Sequence, residues 1–88
     1  MPVRKIQPWR SGARASRVVD VSLRRLGRRL RVLRKAKDMT QEQVAEQAAI
    51  DAKHYQVLES GLSNVTFATL VAVSRALGVT LAELLEGV

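Results

Sequence analysis

Apolar residues recur along this chain at three- and four-residue steps, in five separate blocks. Leu23, Leu26, Leu30 and Leu33 make the first stripe, Val44, Ala45 and Ala48 the second, and Tyr55 and Leu58 the third. Phe67, Leu70, Val71, Val73 and Leu77 are predicted to point largely inward in a fourth block, and Leu81, Leu84 and Leu85 form a fifth. Such spacing sets one side of a helix against a core and leaves the other side to water. Local signals bound each helix. The first is predicted from Asp20 or Ser22, either of which can cap it, to about Lys37. Thr40 opens the second, with Gln43 at the capping-box position, and it ends near Ala48. Asp51 is the expected cap of the third, and Gly61 stops it after Ser60. The fourth runs from Thr66 to Leu77 ahead of Gly78, and the fifth opens at Thr80 with Glu83 completing a second capping box. No segment alternates as a strand does. The expected fold class is all-α, a compact five-helix bundle.

The second and third helices carry the functional suggestion. Only a short turn separates them, and Ile50 lies between their stripes, where it would plug the angle at which they meet. Two short helices held steeply across a tight turn are what a helix-turn-helix needs to put its second helix into a major groove.

Charge placement agrees with a polyanionic partner. Residues 1–37 hold thirteen of the fifteen basic residues and one acid, Asp20, for a local charge of +12. The remainder carries −5, which leaves the chain at +7. A basic end on an acidic body is the asymmetry expected of a chain that grips a polyanion through that end. Residues 1–17 have no hydrophobic period, two prolines and a glycine. The first division of the chain is therefore a flexible basic arm, residues 1–19, and the second is a folded domain, residues 20–88. Trp9, between Pro8 and Arg10, is expected to be tethered loosely against the domain, the other use being to stack on a base or sugar.

Several classes fall away. Eighty-eight residues make one domain with a modest core. The absence of cysteine excludes a disulfide scaffold and a thiolate metal site, and fits a reducing cytoplasm. A single histidine, His54, cannot build a zinc site unaided. No apolar run reaches membrane-spanning length, so no membrane partner is expected. There is no Gly-rich phosphate loop and no partner for His54, so neither an enzyme nor a cofactor is expected.

Residues 22–88 resemble the Cro/repressor-type (Xre-like) helix-turn-helix domain of bacterial and phage regulators. The resemblance rests on Arg34, the Thr40-Gln41 helix start, Val44-Ala45, Leu58-Glu59-Ser60-Gly61, Asn64, Thr69-Leu70, Ala76-Leu77-Gly78-Val79 and Leu84-Leu85. It spans all five helices in order. The chain departs from the pattern at Asp38 and Ala49, where the family usually has glycine in left-handed backbone. That conformation costs an ordinary L-residue roughly 1–2 kcal/mol, and Asp less.

The resemblance implies roles by position. Ala52, Lys53, Gln56, Val57 and Ser60 would face DNA bases from the third helix, with His54 at the margin. Lys53 can donate to guanine O6 or N7 and Gln56 can pair with adenine, while Ala52 and Val57 could meet a thymine methyl. Thr40, Gln41, Arg34, Ser63 and Asn64 would meet phosphates. Arg34 and Glu59 would also form a structural ion pair between the first and third helices. Leu81, Leu84, Leu85 and Val88 are expected to be exposed and to form a two-fold interface. The implied function is a sequence-specific transcription regulator, binding a palindromic operator in double-stranded DNA as a homodimer. Stand-alone repressors, restriction–modification controllers and antitoxins all fit, and the last would add a cognate toxin as partner. The alternative is a protein–protein interaction module that uses the same helices without DNA, against which the +12 region argues.

Overall fold

The computed structural model describes residues 13–88, so Trp9 and the first part of the basic arm lie outside the described residues. Five helices follow in order: α1 (Ala13–Ala36), α2 (Gln41–Ala48), α3 (Ala52–Ser60), α4 (Phe67–Ala76) and α5 (Leu81–Leu84). No strand occurs among the described residues, in line with the all-α expectation. Leu26, Leu30, Val44, Ala45, Ala48, Tyr55, Leu58, Val73, Leu77 and Leu84 form one buried cluster drawn from every helix. α1 packs across α3 and α5, while α2 packs on α3 and α4. Ile50 packs against the cluster from the α2–α3 turn, as its position between the two stripes predicts.

The capping signals mostly act as read. The Thr40 hydroxyl accepts from the Gln43 backbone N–H, and the Gln43 side chain accepts from the Thr40 N–H. Thr80 and Glu83 repeat the arrangement on α5. Thr66 caps α4 by accepting from the Thr69 N–H. Asp51 stands at the N-cap of α3 but makes no side-chain cap bond. Asp38 and Ala49 adopt left-handed backbone, with φ of 55° and 57°. Ala49 accepts that strain to end α2, its N–H reaching back to Ala45 and Glu46.

Three expectations need correction. α1 begins at Ala13, not at Asp20 or Ser22. Alanine and arginine are good helix formers, and no breaker intervenes between Gly12 and Gly27 to stop the helix extending backward. Phe67 is 68% exposed rather than inward. The block FATLVAVSRAL is apolar on nearly every side, so its period does not select a face. Leu84, expected at an exposed interface, is 0% exposed. α5 is a single turn, and Leu84 is the residue through which it anchors to the core.

Candidate nucleic-acid interface

α3 is fixed from its inner side and its C-terminal end. Tyr55 and Leu58 sink into the core, and Glu59 faces α1. Arg34 Nε donates to Glu59 Oε2 at 2.6 Å, and its Nη2 donates to Glu59 Oε1 at 3.1 Å, a two-point clasp. Its remaining nitrogen, Nη1, donates to the Met39 carbonyl at 2.9 Å, tying the clasp to the loop before α2. Gln41, on the first turn of α2, donates to Glu59 Oε1 at 3.2 Å. One carboxylate thus collects α1, α2 and α3.

The clasp is buried, with 12% of the Arg34 side chain and 4% of the Glu59 side chain exposed. Burial alone would raise the Glu59 pKa. The Arg34 hydrogen bonds, the Tyr55 phenol beside it, the Gln41 amide and the guanidinium charge outweigh that and hold the carboxyl below its ordinary range. Burial and the same carboxylate push the Tyr55 phenol far above its usual value. Its hydroxyl makes no hydrogen bond of good geometry, the one such buried side-chain atom among the described residues.

Two glycines let the backbones approach. A Cβ on Gly27 would collide with the Glu59 carbonyl, so α1 and α3 cross at van der Waals contact between main chains. Gly61 ends α3 with φ of 74°, and a Cβ there would stand 2.7 Å from Arg24 Cα. Gly27 escaped the sequence reading. Its signal was a glycine inside a strongly helical run, a position that costs about 0.5–1 kcal/mol relative to alanine and that close packing here offsets.

The opposite face of α3 is free. Lys53, Gln56 and Ser60 are exposed, as is His54 at the margin. Val57 is half-buried, and Ala52 is half-buried and packs against the core, which leaves it least able of the five to meet a base. Thr40 and Asn64 are exposed, and Gln41 and Ser63 half-buried. The Thr40 hydroxyl accepts its capping bond and keeps its proton to donate, and the Gln41 amide gives one of its two N–H groups to Glu59. Gln41 and Glu42, at the first positions of α2, keep their backbone N–H groups for an anion. Arg34 is the exception. Each of its nitrogens donates inside the protein and little of it is exposed, so the phosphate contact expected of it gives way to the structural role. Among the described residues no group of His, Cys, Asp and Glu could hold a metal. None of the helices there is long and apolar enough to cross a membrane.

A short helix offering polar side chains outward, clasped from behind across a tight turn, defines a helix-turn-helix DNA-binding domain. The helix-turn-helix family model matches residues 30–84, and the chain belongs to that family, in its Cro/repressor (Xre-like) branch. It is a DNA-binding transcription regulator and not an enzyme. It is similar to the control protein C.MunI of a Mycoplasma species, 40% identical over 70 residues that cover 78% of this chain and 93% of that one. It is also similar to the restriction-modification controller protein C.AhdI of Aeromonas hydrophila. That crystal structure superposes with a TM-score of 0.71 at 33% identity, covering 73% of this chain and 97% of that one.

Proposed function

We propose that this regulator acts as a homodimer on an approximately palindromic operator, and that it is a controller of restriction–modification genes. The observation that carries the DNA reading is the outward face of α3, with Lys53, Gln56 and Ser60 exposed while Arg34 and Glu59 clasp the helix from behind. Lys53 is the one cation on that face, so base contacts supply discrimination and phosphate contacts supply most of the affinity. Backbone N–H groups at the start of α2 and the Ser63–Asn64 connection are the phosphate contacts nearest the reading helix. The two relatives support the controller assignment, since both are named as control proteins. A cytoplasmic setting follows from such a role.

The dimer rests on apolar surface left uncovered in one copy. Phe67 is 68% exposed, and Val71 and Leu81 are half-buried without packing on the core. Leu85 and Val88 are half-buried but lean on the core, and Leu84 is removed from the interface altogether. A two-fold pair through α4 and α5 would set two copies of α3 about 34 Å apart, so half-sites would lie about 10 bp apart.

Selection of sites from random and genomic DNA gives operator and symmetry together. An inverted repeat of that spacing, upstream of a restriction or methyltransferase gene, is the expected product. Enrichment of an unrepeated half-site by a protein that sediments as a monomer would overturn the dimer. An operator beside a toxin gene would replace the controller assignment with the antitoxin one.

A further inference from the structure

We propose that the outer face of α1 is a second DNA-binding surface, gripping sugar–phosphate backbone beside the site that α3 reads. This rests on the DNA reading above and extends it to α1, most of which precedes the family match that starts at residue 30.

α1 carries two kinds of arginine. Arg29 and Arg34 bond within the protein. Arg17, Arg24, Arg25, Arg28, Arg31 and Lys35 are exposed, and among the described residues none of them makes an ion pair. Arg17, Arg24, Arg28, Arg31 and Lys35 follow one another at steps of seven, four, three and four residues, which puts them on one stripe. At 1.5 Å per residue that stripe runs for about 27 Å. Asp20 is the single acid on the helix. Like charges at these spacings repel, so an isolated helix gains nothing by carrying them in register. An anion lying along the stripe would turn each repulsion into attraction, and a nucleic-acid backbone is the anion of matching length.

The stripe also passes the right place. Arg24 lies against Gly61, at the end of α3 and the start of the connection that holds Ser63 and Asn64. The half of α1 before that crossing contributes no residue to the buried core, whose first member is Leu26. A strand that meets Ser63 and Asn64 would then have Arg24 close by, with Arg17 one way along the stripe and Arg28 the other. C.MunI and C.AhdI are covered over 93% and 97% of their lengths yet match 78% and 73% of this chain. Only four residues follow the family match, so most of the unmatched part precedes it in the chain.

The test compares the full-length protein with a variant carrying Arg17→Gln, Arg24→Gln and Arg28→Gln. Each is titrated with the selected operator and with random duplex across a range of salt concentrations. The variant is expected to fold with an undiminished Tm, because it relieves self-repulsion. The slope of log K against log salt should fall by about 0.9 for each phosphate that is no longer neutralised, and about two to three phosphates are expected. Lysine at the same three positions should restore the slope, and Arg75→Gln on α4 should leave it unchanged. Hydroxyl-radical protection should shrink at the outer flanks of the site and persist at its centre. A folded triple variant with the wild-type slope on both DNAs would overturn the proposal. Failure of the wild type to enrich any operator would count against the sequence-specific reading alone, since random duplex still tests the grip.

Discussion

The two faces of α1 use the same residue type for opposite ends. On the inner face, Arg34 clasps Glu59, and Arg29 donates to the Glu83 carbonyl at 3.1 Å through Nε and 2.7 Å through Nη2. On the outer face, Arg24, Arg28 and Arg31 are exposed and make no ion pair, although the base of Arg24 packs on Gly61. The inner pair fixes helices: Arg34 holds the reading helix and Arg29 holds α5 at its C-terminal carbonyls, where a cation also suits the helix dipole. The charged ends of the outer set bond to nothing in the fold. A charge count treats all of them alike, and burial separates them.

If that division is right, substitutions on the two faces should differ by several kcal/mol. Arg34→Ala leaves Glu59 buried without its partner and should destabilise by about 3–5 kcal/mol in chemical denaturation. The same clasp predicts acid sensitivity. The Glu59 pKa is held below its ordinary 4.5 in the folded state. Its contribution is therefore complete above about that pH and is lost as pH falls through the lower folded value. Glu59→Gln should flatten that part of the stability–pH curve; an unchanged curve would show that the carboxylate does not feel the clasp.

Gly27→Ala comes next. The added methyl meets the Glu59 carbonyl, and such overpacking costs about 1–3 kcal/mol. It should also push α3 away from α1, so operator affinity should drop by more than the loss of folded protein explains. A variant as stable as wild type would mean that the crossing is looser than described.

Arg29→Ala should cost about 1 kcal/mol, since its bonds to Glu83 and Glu86 lie near the surface, with 26% of the arginine side chain exposed. Arg28→Gln, one residue away on the outer face, should stay within about 0.5 kcal/mol of wild type. Equal losses from the two would erase the distinction between the faces.

Much of this was legible in the sequence because local chemistry fixed it. Thr40 with Gln43 and Thr80 with Glu83 announce their helices through bonds that span three residues, and Leu26 and Leu30 mark the inner side of α1. The positive φ of Asp38 and Ala49 was implied by the family resemblance, where glycine usually stands at both positions. What failed depended on tertiary placement. Phe67 lies in a block with no polar face to orient it, and Leu84 in a one-turn helix too short to show a period. Both were assigned by residue type, and packing reversed both. In the interface, the outward positions of α3 came from the family resemblance, and of the five it implies Lys53, Gln56 and Ser60 are exposed while Ala52 and Val57 are half-buried. The confinement of Arg34 was not legible, because it depends on Met39 and Glu59 closing around the guanidinium from two separate elements. Gly27 and the bridge from Arg29 to α5 join residues far apart in the chain, and neither follows from any local pattern.

The central claim is a division of labour, with bases read by α3 and phosphates held elsewhere. Competitive titration of the selected operator against random duplex, for wild type, Lys53→Ala and Gln56→Ala, tests it most directly. Each variant should lose about 1–3 kcal/mol on the operator and nearly nothing on random duplex, with the base preference relaxed at one position. Two variants that discriminate as well as wild type would show that α3 is not the reader.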